Sequence, residues 1–98
     1  MNAREVVLLV EIKASAEHRE ELIQLLTQII ERSRVAPECL SYELFSRADD
    51  ENILCLFQTW GSQQAYETNW VHIDAPRINA NSALLRAPIN SWQLETLL

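Results

Sequence analysis

The chain has 98 residues, of which 48% are hydrophobic and 22% are charged, and it contains one glycine and three prolines. This length and composition suit one globular core, so we predict a single domain over residues 1–98. Fourteen acidic residues oppose eight basic ones, and a net charge of -6 without a basic cluster argues against nucleic acid or anionic membrane as a partner.

The start of the chain and the two cysteines bear on cellular location. No apolar stretch approaches the ~20 residues needed to span a bilayer, and the first ten residues lack a cleavable leader pattern, which predicts a cytoplasmic protein. Cys39 and Cys55 fall on the two strands of a predicted hairpin. Pairing about a turn near Asp49 sets Cys39 near Trp60 and Cys55 near Leu44, so we predict two unpaired, buried thiols.

The first third of the chain predicts a strand and a long helix. Residues 6–13 are β-branched and apolar at consecutive positions before they alternate, which favours a strand covered on both faces. Ser15 is a candidate side-chain cap for a helix over residues 16–35, with acidic residues in its first turn and arginines near its end. The apolar positions recur with helical spacing: Leu22, Leu25, Leu26, Ile29 and Ile30.

The middle of the chain predicts an antiparallel hairpin. Residues 39–45 alternate between apolar and mixed positions, as in a half-buried strand. Residues 48–52 are polar and typical of a turn, and residues 53–60 are apolar at nearly every position. The second strand of the hairpin is therefore also expected to be covered on both faces.

The last third predicts a broken helix and a final strand. Ser62 is a candidate cap for a short helix from Gln63 to Val71. Residues 74–76 indicate a restart with a proline in the first turn, leading to a second helical piece that ends near Leu85. A final strand is predicted from Ile89 to Leu97.

The element order is βαββαβ, which predicts an α+β, ferredoxin-like fold: a four-stranded antiparallel sheet with both helices on one face. The other face would then be bare, yet the first and third strands are apolar on both sides. Leaving those side chains wet would forfeit about 1.5 to 3 kcal/mol each. We therefore predict a homodimer that packs through this sheet face.

Three segments carry a resemblance to a known family. They are the first strand with its acidic helix, Pro37-Glu38-Cys39 leading into a strand, and Gln58-Thr59-Trp60 followed by Gln64-Ala65. Their order and spacing resemble the antibiotic biosynthesis monooxygenase domain, where Pro-Gly-Cys and Glu-x-Trp are usual. The resemblance covers nearly the whole chain and implies a dimeric α+β barrel.

The chain also departs from that family's pattern. Glu38 stands where Gly is usual, Gln58 where Glu is usual, and Asn69 where many members have His. The related haem-degrading members use an Asn, a Trp and a His as a set. Trp70 lies one position from that Trp, but the other two are missing, which argues against haem degradation.

The resemblance implies a monooxygenase that oxidises a small electron-rich aromatic or quinol substrate without metal or flavin. Such chemistry requires a dry pocket, help in deprotonating the substrate and donors that hold the resulting anion. No cofactor or metal motif is recognisable in the sequence, so we expect no cofactor. The catalytic candidates are His72, which has the pKa range of a general base, and Asn69, which could orient substrate.

The substrate-binding candidates are Trp70, Tyr42, Trp60 and Arg77, expected around a pocket between sheet and helices. Each candidate has a structural alternative: core packing for the aromatics, solvation for His72, capping for Asn69 and a surface position for Arg77. Two other functions stay open. One is a non-catalytic ligand-binding or accessory homodimer, and the other is isomerase or detoxification chemistry on a small aldehyde or lactone, also found among relatives.

Overall fold

The computed structural model describes residues 4–98 and shows a four-stranded antiparallel sheet with its helices on one face. The strands are β1 (Val6–Lys13), β2 (Cys39–Arg47), β3 (Asp50–Trp60) and β4 (Asn90–Leu94), in the spatial order β2-β3-β1-β4. Helix α1 (Arg19–Arg34) follows a 3-10 turn (Ala16–His18). The predicted ferredoxin-like βαββαβ fold is confirmed.

The core lies between the sheet and the helices. Along β1 the side chains alternate strictly, and Val6, Leu8, Val10 and Ile12 are buried on the helix side. They pack with residues of α1 that share its apolar stripe: Leu22, Leu26, Ile29 and Ile30. The buried face of β1, which repeats every two residues, and the apolar stripe of α1, which repeats every 3.6 residues, thus face the same core.

The opposite face of the sheet is uncovered and apolar. The strand register places Val7 and Leu9 of β1 beside Phe57 of β3 and Trp92 and Leu94 of β4 on this side. Trp92 remains 48% exposed and Leu94 41% exposed. We call this surface the bare face.

The hairpin register agrees with the predicted cysteine positions, with one shift. Cys39 lies opposite Trp60 as predicted, whereas Cys55 lies opposite Phe45 instead of Leu44 because β2 has an irregularity between Cys39 and Ser41. Both cysteines are free. The turn is tighter than predicted, so β3 begins at residue 50 and not 53.

The predicted break in the second helix is wrong. Helix α2 (Gln63–Tyr66), a π-helical segment (Glu67–Asp74) and helix α3 (Ala75–Asn79) follow one another without a gap. The Ala75 N–H donates to the Trp70 carbonyl, five residues back, which is the wider π spacing. Pro76 lacks an N–H, and this wider turn lets the chain pass it without breaking.

Other boundaries need correction. The helical region ends at Asn79 and is followed by a 3-10 turn (Ser82–Leu84). The side-chain Nδ2 of Asn81 donates to the Arg77 carbonyl and so closes the last helical turn. Strand β4 ends at Leu94, which lies opposite Val7 at the end of its pairing with β1, and not at Leu97 as predicted. Ser15 accepts a backbone bond through its carbonyl and makes no side-chain cap, whereas Ser62 caps α2 as predicted, with its Oγ accepting from Ala65 N at 3.1 Å.

One turn depends on a close pair of residues from different elements. Glu38 follows α1 with φ at 65°, a left-handed conformation that favours glycine. Its carbonyl accepts from Gly61 N at 2.8 Å and its carboxylate accepts from Ser62 Oγ at 2.9 Å. A Cβ at Gly61 would lie 2.9 Å from Glu38 Oε1 and 3.1 Å from Glu38 Cβ, so a side chain at 61 would crowd Glu38 and force its carboxylate to move.

Candidate active site

A carboxylate is buried where α1, β2 and the π segment meet. Asp74, the last residue of the π segment, is fully buried. Its Oδ2 accepts hydrogen bonds from Ser33 Oγ at 2.7 Å and from the Tyr42 hydroxyl at 3.1 Å, and its Oδ1 accepts from Arg32 Nη2 at 3.2 Å. Arg32 reaches in from the surface, where 47% of its side chain is exposed. Three donors therefore compensate the loss of water around one carboxylate.

Burial has the largest effect on the pKa values of Asp74 and Tyr42. Desolvation raises the pKa of Asp74 above its ordinary value, while the hydrogen bonds from Ser33, Arg32 and Tyr42 oppose that rise. The pKa of Tyr42 is raised as well, first by burial and then by the charge of Asp74, while the neighbouring Gln58 amide opposes the increase. The phenol therefore holds its proton, and the carboxylate accepts a proton more readily than an exposed aspartate does.

An amide and an indole lie beside the phenol. Gln58 is directly opposite Tyr42 in the sheet, and its Oε1 accepts from Trp60 Nε1 at 2.7 Å. The rings of Tyr42 and Trp60 meet edge to face, with centroids 6.2 Å apart and an interplanar angle of 81°. Because an indole nitrogen can only donate, Gln58 must present its oxygen to Trp60. Among the described residues, Gln58 Nε2 makes no hydrogen bond of full geometry. Its weaker interaction with the Tyr42 oxygen is the one that opposes the rise in the pKa of that phenol.

The structure brings some of the sequence candidates together and separates others. Tyr42 and Trp60 lie side by side around Asp74 and Gln58. Asn69 and Trp70 are buried on the π segment, and Asn69 Nδ2 donates to the Ala65 carbonyl at 2.8 Å, a local helix contact.

The two basic candidates lie outside this cluster. His72 is exposed on the π segment, and its side chain makes no hydrogen bond or ion pair within residues 4–98. Arg77 Nη2 donates to Gln28 Oε1 at 3.1 Å, an exposed contact between α3 and α1. Neither side chain is therefore joined to the buried carboxylate by a hydrogen bond.

Sequence reasoning missed Asp74, Ser33 and Arg32, and it noticed Gln58 only as a departure from a family pattern. Two signals could have found them. Ser33 continues the apolar stripe of α1, four residues after Ile29, so a polar group there is buried and needs a partner. Had the second helix been predicted as continuous, Asp74, four residues after Trp70, would have fallen on the side of the helix that carries Trp70.

The space around the carboxylate is filled by protein. Tyr42, Gln58, Trp60 and Asp74 are each at most 1% exposed. A groove of about 360 Å³ runs along the edge strand β2 and is lined by Tyr42 together with Arg34, Cys39, Leu40, Ser41 and Glu43. A larger open cavity of about 720 Å³ lies at the end of the sheet where β1 begins, and its lining includes Val6, Ser62, Gln64 and Gln93.

Comparison with known protein families gives a match over most of the chain. Residues 5–72 match the family described as antibiotic biosynthesis monooxygenase. An uncharacterised protein of Synechocystis is 31% identical over 65 residues, covering 62% of this chain and 44% of that protein. The chain therefore spans less than half the length of this curated relative.

Solved structures resemble the whole chain. A Pseudomonas aeruginosa protein superposes with a TM-score of 0.85 at 25% identity, covering 100% of this chain and 99% of that one. A Mycobacterium tuberculosis protein gives a TM-score of 0.80 at 24% identity, with 95% of each chain covered. A Deinococcus radiodurans protein, described as a candidate antibiotic biosynthesis monooxygenase, gives 0.78 at 23% identity, again with 95% of each chain covered.

Proposed function

Since the chain belongs to the antibiotic biosynthesis monooxygenase family, we propose that it is a monooxygenase that oxidises a small electron-rich aromatic or quinol without metal or flavin. The observation that supports this proposal is the buried Asp74–Tyr42 hydrogen bond beside the Trp60 ring. A desolvated carboxylate with a raised pKa costs stability, and such groups cluster at functional sites. Asp74 thus supplies a proton acceptor beside the aromatic rings of Tyr42 and Trp60.

The proposed reaction balances without an external reductant. In an anthrone, one atom of O₂ becomes the new ring carbonyl oxygen, and the other leaves as water with the two hydrogens of the methylene carbon. The substrate itself supplies the electrons, and the protein removes the first proton and holds the anion. This limits the protein's part to proton transfer and to anion binding in a water-poor site.

The test is oxygen uptake by metal-free protein with a panel of hydroquinones and anthrones. We expect catalysed consumption with at least one of them, and incorporation of one labelled atom from heavy-isotope O₂ into the product by mass spectrometry. Uptake equal to the spontaneous rate across the panel would refute the monooxygenase proposal.

His72 and Asn69 stay proposals for the catalytic groups, and Trp70 and Arg77 for substrate binding. His72 is exposed, so as a base it would have to act on substrate at the surface of the π segment. The test is His72→Ala with an accepted quinol. Unchanged oxygen uptake would rule out His72 as the base, and a loss of roughly a hundredfold or more would support it.

A second candidate function is a non-catalytic ligand-binding or accessory homodimer. The filled interior around Tyr42 and Asp74 favours the accessory form of this alternative, because neither a substrate nor another small ligand has a preformed pocket among those residues. Saturable binding of a quinol without turnover would support this alternative over the enzyme.

We also propose that two copies pair through the bare face. Trp92 and Leu94 of β4, with Phe57 of β3 and Phe45 of β2, present exposed or half-buried apolar surface there. Covering each large side chain is worth about 1.5 to 3 kcal/mol. Sedimentation at micromolar concentration should show a dimer, and a monomer would refute this assembly.

The cytoplasmic location and the lack of nucleic-acid and membrane partners stay predictions from the sequence. Within residues 4–98, no helix has the length and apolar character needed to cross a bilayer.

A further inference from the structure

We propose that residues 63–79, which comprise α2, the π segment and α3, form a lid over the core, and that Asp74 holds this lid closed more firmly when its carboxyl is protonated than when it is ionised. We call residues 63–79 the lid. The lid itself does not depend on the proposed function, whereas its use as an entrance to the interior around Tyr42 and Trp60 rests on that function.

The lid is attached to the rest of the domain through a small set of side chains. Its buried residues are Ala65, Asn69, Trp70, Asp74 and Ile78. Asn69 bonds within the lid, to the Ala65 carbonyl. Within residues 4–98, the hydrogen bonds that run from lid side chains to other elements are those of Asp74 and the exposed bond from Arg77 to Gln28. One buried carboxylate therefore provides most of the polar attachment, and the apolar side chains provide the rest.

Short connections at both ends would let the lid move as a unit. The chain enters the lid through Gly61 and Ser62 and leaves it through Ala80 and Asn81, which lie outside the regular helices. Hinges are commonly a few residues at the ends of elements, and lids belong to the less stable parts of a fold. Half of the lid is π-helical, a conformation that is rare and occurs frequently at functional sites.

The Asp74 attachment changes strength with pH. In the closed lid the carboxyl is fully buried and accepts from Ser33, Tyr42 and Arg32, whereas an opened lid would place it in water. Burial raises the pKa of Asp74 above its ordinary value, although the three donors oppose the rise. The closed lid therefore binds this proton more tightly than the open lid does. By linkage, protonation favours the closed lid and ionisation favours the open one.

The other groups around Asp74 do not account for a change at acid pH. The charged and titratable groups that face it are Arg32 from α1 and Tyr42 and Cys39 from β2. Arginine stays charged, and burial raises the pKa of Tyr42 and of Cys39, so both keep their protons. His72, on the lid itself, is exposed and makes no hydrogen bond to Asp74.

The experiment is hydrogen exchange of the full chain, followed by mass spectrometry between about pH 4 and about pH 8, the range above the ordinary pKa of an aspartate. Each rate is divided into the rate of the unstructured sequence at the same pH, which gives a protection factor. Amides of the lid should be less protected than those of α1. In the wild type, protection of the lid should fall by up to about tenfold per pH unit above 3.8 and then level off at the closed-lid pKa of Asp74.

Three variants test the role of the carboxyl. Asp74→Asn keeps an acceptor oxygen but does not titrate, so protection of its lid should be independent of pH. Ser33→Ala removes a donor that lowers the pKa of Asp74, so its protection should level off at a higher pH than in the wild type. Glu67→Gln is the matched control, because Glu67 is an exposed carboxylate of the lid that bonds only to Gln63 in the described residues; it should give the wild-type profile.

The outcomes decide between lid, carboxyl control and neither. Equal protection of residues 63–79 and α1 at every pH would overturn the lid, because these residues would then open only with the whole domain. A lid whose protection does not change with pH in the wild type, or falls equally in Asp74→Asn, would overturn the role of Asp74. If Asp74→Asn does not fold, Ser33→Ala decides: a levelling pH equal to that of the wild type would overturn it. Oxygen uptake is measured separately, so its absence refutes the monooxygenase and leaves the lid standing.

Discussion

Replacing Asp74 should show whether its hydrogen bonds or the desolvation of its carboxylate has the larger effect on the stability of the fold. Asp74→Ala removes the acceptor of two buried hydroxyls, those of Ser33 and Tyr42. Each unsatisfied hydroxyl costs about 1 to 3 kcal/mol, so we expect a loss of about 2 to 6 kcal/mol. The half-exposed Arg32 adds little, because water replaces its partner. This is a large share of the free energy of unfolding of a typical domain, which is about 5 to 15 kcal/mol.

Asp74→Asn should cost much less than alanine. Its amide oxygen can still accept from Ser33 and Tyr42, while Arg32 can turn to solvent. The substitution also removes the charge whose desolvation raises the pKa of the native carboxyl. We therefore expect a loss within about 1 kcal/mol of zero, and even a gain is compatible with the geometry.

The sign of the pH dependence follows from the raised pKa. A carboxyl with a folded-state pKa above its unfolded value of 3.8 binds more protons in the folded state, so its contribution to stability falls as pH rises through that window. The unfolding free energy of the wild type minus that of Asp74→Asn should therefore decrease from pH 3.8 upward and become constant above the folded-state pKa.

The assay is urea denaturation at a series of pH values and one protein concentration, since a dimer's apparent stability depends on concentration. Asp49→Asn is the control: Asp49 is exposed, and Arg47 lowers its pKa, so any slope it produces has the opposite sign. If the wild type instead gains stability over Asp74→Asn as pH rises, the hydrogen bonds outweigh burial and the reasoning is wrong.

Three further predictions concern other parts of the fold. Trp92→Lys should shift sedimentation towards the monomer, whereas Val71→Lys, an equally accessible apolar site on the helix side, should not; equal effects would contradict pairing through the bare face. Trp60→Phe leaves Gln58 Oε1 without its donor and should cost about 1 to 3 kcal/mol by urea denaturation, beyond the loss of ring volume. Gly61→Ala should destabilise the protein, and less so in a Glu38→Gly background; additive losses in the double variant would disprove their contact.

The regular part of the fold could be predicted from sequence because its periodic patterns are long. The stripe of α1 and the two-sided apolar strands identified the elements, and a simple pairing rule placed Cys39 opposite Trp60. The π segment could not be predicted, because Pro76 normally ends or restarts an α-helix and a widened turn has no periodic pattern of its own.

The site was less predictable than the fold. Tyr42 and Trp60 were expected on the helix side of the sheet, and the structure joins them there. Asp74 stood in the segment predicted to restart the helix, just before Ala75 and Pro76, and that pattern gave no sign of a buried carboxylate. Only the three-dimensional meeting of α1, β2 and the π segment shows that it is buried.

Because Glu38 and Gly61 are in close contact, the order in which these two positions are substituted matters. While Glu38 is present, a side chain at 61 meets its carboxylate and Cβ within 3.1 Å, so a change at 61 has to move that carboxylate at the expense of its bond from Ser62 Oγ. Glycine at 38 would remove this obstacle and also relieve the left-handed backbone at φ 65°. Substitution therefore proceeds more easily at 38 first and at 61 second than in the reverse order, and surveys of single variants would overstate how strictly position 61 is constrained.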